Sequence, residues 1–144
     1  TNLPICLMHM QGQPDTMQQA PSYDDVVGDI HGFLEERVAA CALLGIGKER
    51  LILDPGFGFG KALEHNYQLL NQLETFHQLG LPLLVGISRK TMIGRVLHDR
   101  PADQRMIGSI AAAVIAAMKG TAIMRVHDVA ETYDALKIVE ATLA

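Results

Sequence analysis

The chain has 144 residues, of which 49% are hydrophobic and 19% are charged, and its formal net charge is −4. These values are typical of a globular domain with ample core material, and they exclude disordered, collagen-like and disulfide-rich classes. The acidic balance disfavours nucleic acid as a partner, since nucleic-acid-binding domains are usually basic, although a local basic cluster can still hold an anionic substrate.

The cysteine and hydropathy patterns predict a reduced chain in the cytoplasm. Cys6 lies in an apolar run and Cys41 in a helical pattern, so both are expected to be core thiols. No apolar run approaches the roughly 20 residues of a membrane span, and no signal segment opens the sequence, so no membrane partner is expected. Because a strand-like run follows Thr1 almost at once, we expect a processed chain or a fragment.

Four short apolar runs predict strands, and a helical pattern follows each of them. In chain order we expect a strand at 5–8, a helix at 23–44, a strand at 51–53, a helix at 63–79, a strand at 83–86, helices at 91–97 and 105–119, a strand at 123–126 and a helix at 129–143. Each run is apolar at consecutive positions, which predicts strands covered on both faces. Ser22 is the expected N-cap of the first helix, with Asp25 in its first turn.

Strands that alternate with helices predict parallel pairing through right-handed crossovers, and therefore an α/β fold. A closed barrel of eight such units needs about 250 residues. Four units in a single domain at 1–144 indicate half of a TIM (β/α)8 barrel, and a small doubly wound sheet is the alternative. In barrels of this kind the working residues lie at the C-terminal ends of the strands.

The segment Asp54-Pro-Gly-Phe-Gly-Phe-Gly-Lys61 follows the second predicted strand. A carboxylate at a barrel mouth is costly unless it meets a cation or the N–H donors of a ligand. The three glycines permit positive φ and close approach to a ligand, and Phe57 and Phe59 can stack on a flat substrate from a flexible loop. The spacing fits neither a P-loop nor a dinucleotide fingerprint, and a Gly-rich turn with an Asx cap is the alternative.

The segment Ser88-Arg89-Lys90-Thr91 follows the third predicted strand and precedes a predicted helix. Two hydroxyls and two cations at a helix start are suited to an anion, because the free N–H groups and the helix dipole are positive there. Adjacent cations oppose that dipole, which suggests a compensating ligand. Solvated loop charges are the alternative.

Arg125 and His127 lie two positions apart at the fourth predicted strand, so they are expected to point to the same side. A guanidinium and an imidazole together can clamp phosphate oxygens. The alternative for Arg125 is an ion pair with Asp128, Glu131 or Asp54.

His9 and Met8 stand at the end of the first predicted strand. His9 is weak evidence for a metal site, and the sequence has no CxxC, HExxH or carboxylate cluster, so no metal site is expected within this chain. Met8 is expected to wall a flat apolar pocket.

Five segments together resemble dihydropteroate synthase, a folate-pathway family with a (β/α)8 barrel. They are Met8-His9-Met10-Gln11-Gly12 with Pro14 and Thr16-Met17-Gln18, residues 54–61, Val85-Gly86-Ile87-Ser88-Arg89-Lys90, Gly108-Ser109-Ile110-Ala111-Ala112, and Arg125-Val126-His127-Asp128-Val129. The resemblance covers nearly the whole chain and matches the C-terminal half of the family. It implies a transferase that joins 6-hydroxymethyl-7,8-dihydropterin diphosphate to 4-aminobenzoate, giving 7,8-dihydropteroate and diphosphate, with sulfonamides as competing inhibitors.

The resemblance also implies roles for single residues. It assigns pterin binding to Met8, Asp54, Phe59, Gly86 and Lys90. It assigns diphosphate binding to Arg125 and His127, and 4-aminobenzoate binding to Phe59, Ser88, Arg89 and Thr91. Lys90, Arg125 and His127 are the expected catalytic residues. Thr91 stands where the family often has Ser, and it keeps the hydroxyl.

Further implications concern cofactor and partners. Mg²⁺ is the expected cofactor, with its protein ligands outside this chain. A homodimer is expected, through the small-residue helix around 111–117, and so is a requirement for the family's N-terminal half. Since a half-barrel exposes two sheet edges, we expect the isolated chain to lack turnover. A pterin-binding methyltransferase of the same superfamily and a non-catalytic half-barrel are the alternatives.

Overall fold

The computed structural model describes residues 1–13, 15 and 21–144, so Pro14 and residues 16–18 of the first family segment lie outside the described residues. The strands are β1 (Ile5–Met8), β2 (Leu51–Asp54), β3 (Leu84–Val85) and β4 (Ile123–Met124). The helices are α1 (Val26–Leu43), α2 (Leu63–Asn71), α3 (Thr91–Val96), α4 (Met106–Met118) and α5 (Val129–Leu143). Short 3-10 segments lie at Lys48–Arg50, Leu73–Leu79 and Ala102–Gln104.

The strands form a parallel ladder in chain order. β1 pairs with β2 so that Met8 lies beside Asp54, and β3 pairs with β4. A bridge between Leu53 and Leu83 joins β2 to the residue before β3. The predicted α/β order and parallel pairing are confirmed, although β3 and β4 are shorter than expected.

The helices cover one face of this ladder only. Leu51, Leu53 and Val85 point to the helices and belong to the buried core, whereas Cys6 and Met8 point to the other face and are exposed. A doubly wound sheet would carry helices on both faces, so this arrangement is that of an open barrel wall. The expectation that both faces are covered is wrong, because the inner face of half a barrel has no opposing strands.

The two cysteines are free, as expected, but their environments differ from the prediction. Cys41 is half-buried on α1, and Cys6 is exposed on the inner face of β1. The predicted core position of Cys6 is therefore wrong, because no strand in the described part of the chain packs against the inner face of β1. In the described part of the chain, no helix has the length and apolar content to cross a membrane.

Helix α1 begins at Val26, three residues after its predicted start at Tyr23. The Asp25 carboxylate caps it by accepting the Gly28 N–H at 3.1 Å. Ser22 is held outside the helix, because its N–H donates to Gln11 Oε1 at 3.0 Å and its carbonyl accepts from Gln11 Nε2 at 2.8 Å. This pair of bonds keeps the segment before α1 beside the end of β1.

The second predicted helix is divided in two. Helix α2 ends at Asn71, and the 3-10 segment Leu73–Leu79 continues the chain to Gly80. Gly80 has φ of 69°, a conformation that glycine adopts without steric cost. Leu73 and Phe76 of the 3-10 segment are fully buried in the core, so tertiary packing holds this tighter coil in place.

We expect Leu34→Ala to lower the free energy of unfolding by about 2–5 kcal/mol, because Leu34 on α1 is completely buried and the change leaves a cavity. Leu43 on the same helix is 89% exposed, so Leu43→Ala is the matched control and should cost no more than about 0.5 kcal/mol. Urea denaturation of both variants measures the difference. Equal losses would contradict the assigned core.

Candidate active site

Asp54, at the C-terminal end of β2, is a buried carboxylate whose side chain is 2% exposed. Its Oδ1 accepts the Gly56 N–H at 2.8 Å, and its Oδ2 lies 3.4 Å from Nη2 of Arg125. The Asp54 ion pair that was one alternative for Arg125 is therefore present, and it offsets the cost of burying the carboxylate.

Gly86 makes this ion pair sterically possible. A Cβ on Gly86 would stand 2.7 Å from Nη2 of Arg125, which is closer than real side chains approach. Arg125 follows β4 and Asp54 ends β2, so the guanidinium must cross the end of β3 at Gly86. A residue without a side chain is required at that crossing.

Lys61 is a buried cation, 3% exposed, that sequence reasoning did not include in the site. Its Nζ donates to the carbonyls of Gly56 at 2.7 Å and Phe59 at 3.1 Å, and lies 3.0 Å from His9 Nδ1. Burial lowers the pKa of Lys61 to about 7. Burial, with Lys61 as a second cause, lowers the pKa of His9 to about 4, so His9 is neutral near pH 7 and accepts from Lys61.

The glycine-rich segment is held by further donors. The Tyr23 hydroxyl donates to the Gly60 carbonyl at 2.9 Å, and Lys90 Nζ donates to the Phe57 carbonyl. With the two bonds from Lys61, side chains bind four carbonyls of one short loop. The loop backbone is therefore held by side-chain bonds that the sequence analysis did not anticipate. Phe57 is completely buried in the core, so its ring is unavailable for stacking on a substrate.

Phe59 and Lys90 form one wall of a cavity of about 590 Å³, here called the aromatic cavity, to which Arg89 and Thr91 also contribute. Lys90 Nζ lies 4.8 Å from the centroid of the Phe59 ring, a cation–π contact. Burial lowers the pKa of Lys90 to about 8. Lys90 therefore remains largely protonated at pH 7, while less strongly basic than a solvated lysine.

A second cavity, of about 180 Å³, adjoins the first and is here called the cationic cavity. It is lined by Gly86, Ser88, Lys90, Arg125, Val126 and His127. The structure thus brings Arg125 and His127 together, as their spacing predicted, although both follow β4 rather than lie within it. Lys90 contributes to both cavities, so they share a wall.

Ser88 belongs to the cationic cavity and does not line the aromatic one. Its Oγ lies 2.8 Å from Nδ1 of His127 and accepts the His127 backbone N–H at 3.2 Å. The hydroxyl is thus directed at the imidazole.

Arg89 has a left-handed backbone, with φ of 59°. A non-glycine residue there is strained by roughly 1–2 kcal/mol. Ser109 Oγ accepts its N–H at 2.9 Å, and Arg105 Nη1 donates to its carbonyl at 2.8 Å. The guanidinium forms an ion pair with Asp128 at 2.8 Å. The start of α4 therefore holds the turn that carries Lys90, a role that sequence reasoning missed.

The remaining predicted residues lie around these cavities. Met8 is 36% exposed on the inner face of β1, in register with Asp54, and Thr91 is exposed at the start of α3. Among the residues that the structure describes, no group of three or more His, Cys, Asp and Glu side chains could hold a metal ion. His9 instead packs edge-on against Phe33, with ring centroids 5.0 Å apart.

Comparisons with known proteins agree with this arrangement. The sequence profile of the family described as "Pterin binding enzyme" matches residues 1–127. Dihydropteroate synthase of Escherichia coli K12 is 59% identical over 144 residues, which are 100% of this chain and 51% of that protein. The chain therefore spans about half the length of its relatives, and it corresponds to their C-terminal half.

Two solved structures are similar throughout the chain. Yersinia pestis dihydropteroate synthase, in a complex with a sulfonamide drug, has a TM-score of 0.95 and 59% identity, over 98% of this chain and 51% of that one. The Xanthomonas albilineans enzyme, in complex with 7,8-dihydropteroate, has a TM-score of 0.91 and 47% identity, over 99% of this chain and 52% of that one. The fold is the C-terminal half of a TIM barrel, and the chain belongs to the family of pterin binding enzymes.

Proposed function

We propose that this chain supplies two parts of the active site of a dihydropteroate synthase: the residues that bind the diphosphate leaving group, and one residue, the pterin anchor, that binds the pterin ring. The observation that carries the proposal is the pair of adjoining cavities joined by Lys90, one lined by Phe59 and the other by Arg125 and His127. A reaction between a flat aromatic amine and a pterin diphosphate needs such a combination. The E. coli relative and the product complex of the X. albilineans relative support the same assignment.

Asp54 is the proposed pterin anchor. Its carboxylate is buried at the C-terminal end of β2, and its ion-pair partner among the described residues, Arg125, is 3.4 Å away, a long contact for an ion pair. The amino-pyrimidine edge of a pterin offers two N–H donors that a carboxylate can accept together. Met8 on one side and Gly86 on the other, both on the inner face, are the proposed walls for the ring.

Arg125, His127 and Lys90 are proposed to act on the diphosphate. During the reaction the bond between the pterin methylene carbon and the bridging oxygen breaks, and its electron pair leaves with the diphosphate. The cationic cavity stabilises that developing charge. The electron-rich pterin stabilises the methylene cation, so we propose an early-ionising, SN1-like displacement.

The aromatic cavity is the proposed site of 4-aminobenzoate and of sulfonamides. Phe59 offers a ring face, and Arg89, Lys90 and Thr91 are polar groups for a carboxylate. The amine nitrogen attacks the methylene carbon, forming the new C–N bond, and then loses one proton to solvent. Because an aniline is neutral at pH 7, this nucleophile requires no strong general base.

Mg²⁺ is proposed as the cofactor, but the described residues of this chain do not fit a site for it. No group of three or more His, Cys, Asp and Glu side chains among them could hold a metal ion, and the cationic cavity presents positive charge where a metal would need oxygen ligands. Mg²⁺ would neutralise diphosphate charge when bound, with ligands from the substrate and from residues outside this chain. A cytoplasmic location is likewise proposed, consistent with the free thiols.

The test combines this chain with the N-terminal half of the E. coli relative. We expect no dihydropteroate formation by the chain alone, because the open half-barrel lacks the other part of the site, and turnover when the two halves are mixed. Turnover of a methyl-pterin substrate instead would favour the methyltransferase alternative. The absence of both turnover and pterin diphosphate binding by calorimetry would favour a non-catalytic half-barrel.

In the combined enzyme, we expect Asp54→Asn to reduce activity more than tenfold, since an amide presents only one acceptor to the pterin edge. Glu140→Gln is the control, because Glu140 is exposed on α5 and pairs with Lys137 far from either cavity. Activity of the Asp54 variant within tenfold of the parent would remove the pterin-anchor role.

The buried Lys61 side chain is expected to make the free energy of unfolding depend on pH. Its folded-state pKa of about 7 lies below the ordinary value of 10.5, so between these values the unfolded chain binds more protons. The free energy of unfolding is therefore expected to rise from about pH 7 to 10.5 and to be independent of Lys61 below pH 7. Lys61→Met should flatten this rise, leaving the smaller part due to Lys90. Lys48→Met, at an exposed site, is the control, and equal slopes for both variants would contradict the assignment.

A homodimer is also proposed, and α4 offers the surface for it. The small side chains Ala112, Ala113 and Ala116 are buried within the chain itself, so the partner must contact another face. Ile107 and Ile115 are 76% and 44% exposed on that face. Such an apolar stripe is suited to a second copy.

We expect Ile107→Glu to shift the combined enzyme from dimer to monomer, because it buries a charge at the apolar stripe. Leu43→Glu, at an even more exposed apolar position on α1, should leave the dimer intact. Analytical ultracentrifugation distinguishes the two states. A dimer that survives Ile107→Glu would exclude this face.

A further inference from the structure

The hydroxyl of Ser88 makes two contacts with His127. Its Oγ accepts the backbone N–H of His127 at 3.2 Å and lies 2.8 Å from the ring Nδ1 of the same residue. Ser88 is 8% exposed, so solvent is not a ready substitute for either contact. The proton positions in this pair determine which ring nitrogen of His127 carries a hydrogen.

The backbone N–H can only donate, so it uses one lone pair of the Ser88 hydroxyl. If neutral His127 carried its proton on Nδ1, that N–H would take the second lone pair, and the hydroxyl proton would have no acceptor among the described residues. If the proton is on Nε2, the hydroxyl donates to Nδ1, the buried Ser88 hydroxyl and Nδ1 are both satisfied, and Nε2–H lies on an exposed side chain. Leaving a buried donor without a partner is costly, so the second arrangement is favoured.

The cations of the cavity do not oppose this arrangement. A lone pair on Nε2 would be favoured if Arg125 or Lys90 donated to it, but their bonds go elsewhere. Arg125 faces Asp54, and Lys90 donates to the Phe57 carbonyl. Within the described part of the chain, Nδ1 is the His127 ring nitrogen that has a hydrogen-bond partner.

We infer that Ser88 is a positioning residue that holds neutral His127 with its proton on Nε2, so that the ring presents an N–H donor to an anion in the cationic cavity. The opposite tautomer would turn a lone pair toward the anion and repel it. The inference deepens the proposed function, on which it rests for the identity of the anion, and it gives Ser88 a role on the diphosphate side of the site.

The tautomer can be measured directly by long-range ¹H–¹⁵N correlation NMR of the labelled chain at alkaline pH. The six histidines are separated by assigning His127 with the His127→Gln variant. We expect a protonated Nε2 and an unprotonated Nδ1 in the parent chain. A protonated Nδ1, or equal populations, would overturn the inference without the use of any Ser88 variant.

Substitutions test whether Ser88 is the cause of the expected His127 tautomer. Ser88→Ala should bring the two ring nitrogen shifts closer together, and Ser88→Thr should restore the parent pattern. Thr132→Val is the matched control, because it removes a buried hydroxyl on α5 that donates to the Asp128 carbonyl and does not touch the ring. An unchanged pattern in Ser88→Ala would overturn the role of Ser88.

A binding measurement separates this inference from the proposed function. Calorimetric titration with inorganic diphosphate should give roughly tenfold weaker binding for Ser88→Ala than for the parent or Thr132→Val, about the effect of losing one hydrogen bond to a charged group. Equal affinities would contradict the inference. If diphosphate binds no variant while NMR shows the Nε2 proton, the proposed diphosphate role fails and the tautomer assignment stands.

Discussion

The contact between the buried Asp54 carboxylate and the Arg125 guanidinium is the constraint on which the site depends. Asp54 ends β2, Arg125 follows β4, and the contact passes the end of β3 at Gly86. A carboxylate with 2% exposure needs a positive partner or several donors, so the strand ends must converge for the chain to fold as it does. The same convergence brings Lys90 and His127 to the cationic cavity.

Bringing several charged side chains together away from solvent is energetically costly, and hydrogen bonds to the surrounding backbone offset part of that cost. Lys61 and Lys90 are both largely removed from solvent, and burial lowers the pKa of each. Their N–H groups nevertheless reach backbone carbonyls of the glycine-rich loop. The loop that closes one side of the site is therefore also the structure that stabilises its cations.

Much of the fold was predictable from the sequence because its signals are local. Apolar runs and the Gly and Pro stops identify the strands and helices within a few residues. Other features depend on distant residues. Ser22 is displaced from its expected capping position by Gln11, and Cys6 is exposed because none of the described strands lies opposite it. No window of sequence contains those contacts.

The candidate site likewise contains some features that were predictable from the sequence and others that were not. Spacing alone indicated that Arg125 and His127 act together, and the structure brings them into one cavity. By contrast, the burial of Lys61 could not be predicted, since its partners are carbonyls whose direction depends on the positive φ angles of Gly56, Gly58 and Gly60. The contact of Ser88 with His127 spans 39 positions and likewise has no local signal.

The four loop carbonyls bound by Lys61, Lys90 and Tyr23 also affect when conformational entropy is lost. A mobile glycine-rich loop would have to be ordered by its ligand, at roughly 1–2 kcal/mol for each residue fixed. Here the ordering occurs during folding, when the buried side chains reach the backbone. Phe59 is thus already in position before any ligand arrives, and the free energy of binding is not reduced by immobilising the loop.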